Sequence, residues 1–370
     1  MTTPLRIAGV SDVSLGYGSP QIPAFMRSLW EVYGGEVRVF EPDQPERPPL
    51  PGLSYDLLGV VERIFTAHHP HGHAAGRIEY VVRVAQHINA QRPQIVAVFC
   101  AAALPVLLKL NYRPSLVIYY SLESIAAYGA LDVELNGRLA PMMDLVIFPE
   151  ENRAMLDIGR CGLRGVPVEI VFNCANSRHD PDVVRPADAR NGRVLYAGTI
   201  DRERTFGDYF LHPEMEGLPI DLYGHVTGWP RASAFMHRLP ASARYRGHRD
   251  AAALHGLRPS YAYSVVAWKP SNENQRYAAP NKLFESIAAG VPPIAAPHPQ
   301  CQLILDRYGC GLLMDDWEFP SFQATIRRAL GIYGTPVYAE LVENCRHAVE
   351  RELSWERQFE RVRRHLRPVT

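Results

Sequence analysis

The sequence has no surplus of either charge: 39 lysines and arginines offset 39 aspartates and glutamates across 370 residues. That excludes a global basic field of the kind that gathers nucleic acid or anionic lipid, and leaves only local patches to consider. Cysteine is sparse. The six (Cys100, Cys161, Cys174, Cys301, Cys310 and Cys345) are scattered without a Cys-x-x-Cys pair, which argues against a disulfide framework or a structural zinc and fits reduced thiols in a cytosol. Long apolar runs are missing too. The longest, residues 95–108, falls short of the ~20 residues of a spanning helix and is interrupted by Pro105, so it reads as a strand followed by a helix. Residues 1–10 lack the apolar core and cleavage site of a signal peptide and read as the first strand. Low-complexity tracts and short-period repeats are absent, and residues 42–51 are a proline-rich surface loop.

What is present is an ordinary globular composition, 47% hydrophobic and 21% charged, in a chain long enough for two α/β domains of about 170 residues each. Short β-rich runs at 5–10, 37–40, 95–99, 116–120, 145–148 and 168–172 alternate with longer helical patterns, the rhythm of βαβ units in a parallel sheet. The rhythm restarts at 194–197, 220–223, 263–267 and 293–296. The expected organisation is an N-terminal domain over 1–175, a polar linker over 176–192, a second domain over 193–345 and a C-terminal segment over 346–370. In that last segment Trp355, Phe359 and Val362 recur at helical spacing behind Ser354.

The most informative stretch is 277–292, YAAPNKLFESIAAGVP. Pro280 suits a first helical position, where no amide donor is needed. Leu283, Phe284, Ile287 and Ala288 supply a buried stripe, and Gly290 with Pro292 stops the helix before a new strand. The start of such a helix, at the carboxyl edge of a parallel sheet, offers backbone amides and a positive dipole end to an anion such as a diphosphate. Lys282 and Glu285, three residues apart, are neighbours on its surface. A cation for phosphate and a carboxylate for two ribose hydroxyls suit a nucleotide sugar; taken alone, the pair reads more readily as a solvated helix face, and the surrounding sequence favours the site.

This stretch resembles the donor-site helix of glycosyltransferase family 4, retaining enzymes of GT-B fold. Residues 194–200 (VLYAGTI) are similar to the family's strand and glycine loop opening the second domain, 144–151 (DLVIFPEE) to a late strand of the first, Val171-Phe172-Asn173 to the strand end before the linker, and Ser354-Trp355-Glu356 to the terminal helix. The resemblance implies two Rossmann-like domains facing across a cleft, with a C-terminal helix crossing back to the first. It implies a donor site with the start of that helix in the cleft: Lys282, Glu285 and Arg204 at the diphosphate and ribose, and Gly198, Thr199, Arg202, Gly224, His248, Arg249, Glu273, Ala279, Asn281 and Leu283 around the nucleotide sugar. Many members carry two glutamates seven residues apart. Here the second is Glu285 and the first position holds Tyr277, with Glu273 or the amides of Ala278 and Ala279 as substitutes. Arg202, Arg204, His248 and Arg249 read equally as solvated loop residues.

In the first domain Gly16 and Gly18 lie in a Gly-x-Gly loop after the first strand, without the third glycine of a dinucleotide fingerprint. In the resembled family this loop faces donor phosphate and acceptor. His68, His69, His71 and His73 fall within six residues, but Pro70 and Gly72 suggest a mobile loop and not a metal site; His73 is kept as an acceptor-side candidate. Glu123, after the strand at 116–120, reads as an acceptor-side base or an ordinary helix-start acid. The expectation is a metal-independent, cytoplasmic hexosyltransferase without cofactor, its partners a nucleoside-diphosphate sugar such as a UDP-sugar and a hydroxyl acceptor. Peripheral membrane contact stays open because acceptors in that family are often lipid-linked. The rivals are a nucleotide-sugar epimerase or hydrolase of the same fold, and a non-catalytic partner subunit.

Overall fold

A computed structural model describes residues 4–47, 59–175 and 185–369. The chain divides into a first unit, Met1–Ala175 with Gln358–Thr370, and a second, Asn176–Arg357. In the first unit β1 (Arg6–Ser11), β2 (Glu36–Pro42), β3 (Val60–Ile64), β4 (Ile95–Phe99), β5 (Leu116–Tyr120), β6 (Leu145–Phe148) and β7 (Val168–Ile170) form one sheet. Its order is β3-β2-β1-β4-β5-β6-β7 and every pairing is parallel. β4, β5 and β6 are buried along their whole length. Both faces of a parallel sheet are covered by helices, which is why these strands read as unbroken apolar runs. β3 escaped the sequence reading for the converse reason. It is an edge strand with half-exposed Val60 and two charged residues, held to β2 by the pairs Arg38–Glu62 at 2.6 Å and Arg63–Glu41 at 2.9 Å.

The second unit repeats the plan with β8 (Val194–Ala197), β10 (Ile220–Tyr223), β12 (Ala243–Tyr245), β13 (Tyr263–Val266), β14 (Pro293–Ala295) and β15 (Leu312–Leu313), in the all-parallel order β12-β10-β8-β13-β14-β15. β9 (Ile200–Asp201) and β11 (Val226–Thr227) make a separate parallel pair. Strands of two residues carry too little pattern to be read, which is why β9, β11 and β15 were not expected. In both sheets the first strand lies inside, the next strands build outward on one side, and the later ones on the other. The chain therefore reverses direction beside β1 and beside β8. Open α/β sheets bind ligands at the carboxyl ends of the strands flanking such a reversal.

Two boundaries move. The expected linker falls partly on 176–184, outside the described residues, and its remainder packs on the second unit: buried Arg190 donates to the Tyr261 carbonyl at 3.3 Å, and Tyr333 Oη donates to the Arg190 carbonyl at 2.7 Å. The expected break at 345/346 falls inside a continuous helix, Pro336–Arg351, so the chain passes to the first unit only at Gln358. There the final helix, Trp355–Arg363, behaves as its stripe required. Phe359 meets Phe25 edge-on at 5.8 Å, Gln358 Oε1 accepts from the Phe172 amide at 2.9 Å, and the Arg361 guanidinium lies over Phe172. No helix among the described residues is long and apolar enough to cross a membrane.

Candidate functional site

The carboxyl ends of β8, β10 and β12 run into glycines that stack on one another. The Gly198 amide donates to the Tyr223 carbonyl at 2.9 Å, and the Gly224 amide donates to the Gly247 carbonyl at 3.0 Å. A Cβ on Gly224 would lie 1.8 Å from the Gly198 carbonyl oxygen, and Gly224 has φ of +141°. Only a residue without a side chain allows this approach. The effect is to lower the sheet edge at the reversal point, so that backbone is presented where side chains would otherwise stand.

Over this edge lies Lys282. It belongs to an eight-residue helix, Asn281–Ala288, whose cap residue, Pro280, offers no side-chain hydrogen bond and whose first turn has no acidic residue. The Lys282 Nζ is 4.5 Å from the centre of the Tyr196 ring, and a Cβ on Gly198 would come within 2.3 Å of it. Among the described residues the ammonium has no carboxylate partner, so its charge is available to a ligand. Pro280 does not occupy the first helical position. It stands one residue earlier, at the cap position, in an extended conformation. Ala279 and Asn281 flank the start, half-buried. Leu283 is fully buried and its amide donates to the Pro280 carbonyl at 3.1 Å, so it supports the helix rather than reaching a ligand.

Glu285 is tied down. Its Oε2 accepts from Arg258 Nη2 at 2.8 Å, and the other nitrogen of that buried guanidinium lies 3.2 Å from Ser286 Oγ and 3.4 Å from Ser264 Oγ. Sequence reasoning missed Arg258, which sits 27 residues away in an unremarkable Leu-Arg-Pro-Ser turn. Of the two loop arginines, Arg202 is engaged with Asp208 at 3.3 Å, whereas Arg204 makes no ion pair among the described residues. The Arg204 carbonyl accepts from the Lys269 amide at 3.0 Å, which joins this loop to the one after β13. Thr199 is exposed. His248 stacks on His225 at 4.0 Å, and both are exposed, as are Arg249 and Glu273.

The loop from β13 to the Lys282 helix is held by a residue the sequence reading passed over. His298 is fully buried; its Nδ1 lies 3.1 Å from the Arg276 carbonyl and its Nε2 3.2 Å from the Trp268 carbonyl, with the Trp268 ring stacked on it at 4.5 Å. Two facing carbonyls favour the imidazolium, but burial outweighs them and lowers the pKa to about 4. Between that value and the unfolded pKa of about 6.5 the unfolded chain binds more protons. The contribution of this site to stability is thus complete above about pH 6.5 and lost as pH falls toward 4, at a cost of roughly 3 kcal/mol. Thermal melts of the parent and of His298→Phe between about pH 4 and 7 are expected to show an acid sensitivity that the variant lacks; equal sensitivity would remove His298 as its source.

In the first unit Gly16 and Gly18 lie in a loop whose Leu15 amide donates to buried Glu41 at 2.6 Å. Glu123 pairs with buried Arg153 at 3.3 Å. The histidine segment is anchored at two of its residues. His71 is buried with Nε2 2.9 Å from the Asp12 carbonyl, and His73 caps the following helix, Ala74–Gln91, by accepting from the Ala75 amide. No group of three or more His, Cys, Asp or Glu among the described residues is arranged to hold a metal ion. Asp12, directly after β1, is almost fully buried; burial pushes its carboxyl up to about 6, and Tyr128 Oη lies 3.4 Å from Oδ2.

Solved structures match this fold over nearly the whole chain. The fold is GT-B. Sucrose-phosphate synthase from Thermosynechococcus elongatus is 16% identical over 97% of this chain and 98% of its own, with a TM-score of 0.69. The Anabaena protein HepE, solved with UDP and glucose, is 13% identical over 96% and 98%, also at 0.69. The apo lipopolysaccharide outer core galactosyltransferase WaaB is 11% identical over 98% and 99%, at 0.65. No family model and no curated protein sequence matches the chain.

Proposed function

We propose that this chain is a retaining glycosyltransferase of the family 4 type, moving a hexose-type sugar from a nucleoside-diphosphate sugar to a hydroxyl acceptor in polysaccharide, glycolipid or other glycoconjugate synthesis. The observation that carries the reading is the Lys282 ammonium, without a carboxylate partner among the described residues, at a helix start with no acidic residue and over the lowered backbone of Gly198. The leaving diphosphate gains charge as the sugar–oxygen bond breaks, and a cation and amides already in place stabilise that charge without reorganisation. Arg204 is the second cation. Glu285, oriented by Arg258, receives the ribose hydroxyls, and the His225–His248 stack offers a flat surface to the base. The acceptor oxygen attacks from the face the diphosphate leaves, and its proton passes to the departing phosphate oxygen. The neighbouring fold that was solved with UDP-glucose supports UDP as the first nucleotide to try.

A thermal-shift and calorimetric panel of UDP, GDP and ADP tests the reading. One diphosphate is expected to stabilise the second unit by about 2.7 kcal/mol at a hundred times its Kd. If none binds, a non-catalytic partner subunit becomes the better reading, and Tyr277 in place of the first glutamate is the feature that favours it. Conversion of a UDP-sugar without any acceptor points instead to the epimerase or hydrolase.

A further inference from the structure

Of the 39 lysines and arginines in the chain only three are lysines: Lys109, Lys269 and Lys282. Both lysines of the second unit stand over tyrosine rings. Lys282 Nζ is 4.5 Å from the centre of the Tyr196 ring, and Lys269 Nζ is 6.0 Å from that of Tyr209, the outer limit of such an attraction. Tyr196 belongs to β8 and is fully buried. Its Oη donates to the Thr199 carbonyl at 2.6 Å, and Phe210 meets the ring edge-on at 5.0 Å. The ring is thus held both at its hydroxyl and at its side. Gly198, two residues on, completes the seat: a Cβ there would overlap Nζ and Cε of Lys282, so the missing side chain is what lets the ammonium settle on the ring.

Four rotatable bonds separate a lysine ammonium from its backbone, and Lys282 is only half-buried. Freezing such a side chain when a ligand arrives weakens binding; a side chain already frozen escapes that loss. We propose that Tyr196 is a positioning residue for the donor: its ring holds the Lys282 ammonium in place before the diphosphate arrives. This deepens the transferase reading and rests on it. Tyr196 touches no substrate and acts through Lys282. An ammonium suits this seat better than a guanidinium does. It has three N–H donors that cannot all turn to one ring, so some remain for phosphate oxygens, whereas a stacked guanidinium lies flat and directs its donors sideways.

The scarcity of lysine makes the test direct. With isotope-labelled lysine the full chain gives three ε-methylene signals in a proton–carbon NMR spectrum, and Lys282→Arg identifies the one from Lys282 by removing it. In the parent without ligand that signal is expected upfield of the Lys109 signal, shifted by the ring current of Tyr196, and its relaxation should be that of a rigid group. Tyr196→Phe keeps the ring and should keep both the shift and the parental affinity for UDP, or for whichever of UDP, GDP and ADP the parent binds. Tyr196→Met fills the space without a ring. It should return the signal to the Lys109 position and weaken nucleotide binding by about three- to tenfold in calorimetry.

A parental Lys282 signal that is mobile and unshifted overturns the proposal without recourse to any variant, so the test survives even where Tyr196→Met does not fold. Parental nucleotide affinity in a folded Tyr196→Met overturns it too, as does a Tyr196→Phe that behaves like Tyr196→Met. In each of these cases the donor reading stands and the proposal fails alone. A parent that binds no nucleoside diphosphate sinks the donor reading, and the proposal with it.

Discussion

Lys282→Ala is expected to lower kcat/KM for the nucleotide sugar by about 10²- to 10³-fold, the range seen when one preorganised donor to a developing anion is removed. The melting temperature should scarcely change. The ammonium has no ion pair among the described residues, and what the variant gives up in the fold is one contact with the Tyr196 ring, about 0.5–1 kcal/mol at a half-exposed site. Lys282→Arg should not restore activity. A single Cβ on Gly198 would already press on Nζ at 2.3 Å, and a planar guanidinium needs more room than a point charge. Steady-state kinetics at saturating acceptor, with UDP affinity by calorimetry, separate loss of binding from loss of the chemical step. A parental rate in Lys282→Ala removes the donor-site assignment.

Glu285→Ala is expected to fail in a different way. The sequence alone suggests a surface carboxylate whose loss touches only turnover, but the structure makes it the counter-charge of Arg258, whose side chain is 5% exposed. Removing it leaves a buried guanidinium with two serine hydroxyls for company. Breaking a buried pair costs about 3–5 kcal/mol, and the quarter exposure of Glu285 places this case at or somewhat below the lower end. Denaturation of Glu285→Ala should therefore show a second unit several kcal/mol less stable, whereas Arg258→Met with Glu285→Leu should recover most of that loss without recovering activity. If Glu285→Ala melts with the parent, Arg258 is satisfied by other means and the ion pair is not what the second unit depends on.

These two residues show where sequence reading works and where it stops. Lys282 was legible because its helix is written locally: a proline before it, an apolar stripe through it, and a glycine and proline after it. Its neighbour Glu285 was legible as a residue but not as a partner of Arg258. The two are 27 positions apart and meet only because β13 and the helix pack side by side. His298 and Asp12 were invisible for the same reason. A histidine before a proline and an aspartate after a strand carry no local mark, and their shifted titration comes from burial, which is a property of the packed chain. The histidine run misled in the opposite direction. Proline and glycine suggest mobility, but Gly76, where a Cβ would fall 2.1 Å from the Pro70 carbonyl, seats that segment against its helix.

The sequence by itself determined the repeated βαβ rhythm, the division into two α/β halves, the amphipathic last helix and the helix that carries Lys282, since each depends on residues within about one element of one another. Tertiary structure decided which strand stands inside each sheet, and hence where the chain reverses. It also decided that glycines from three separate loops stack at one reversal, that Glu285 answers to Arg258, and that Asp12 is buried beside Tyr128 at the other. Those facts join residues far apart in the chain, and only packing brings such residues within the few ångströms over which hydrogen bonds, charges and excluded volume act.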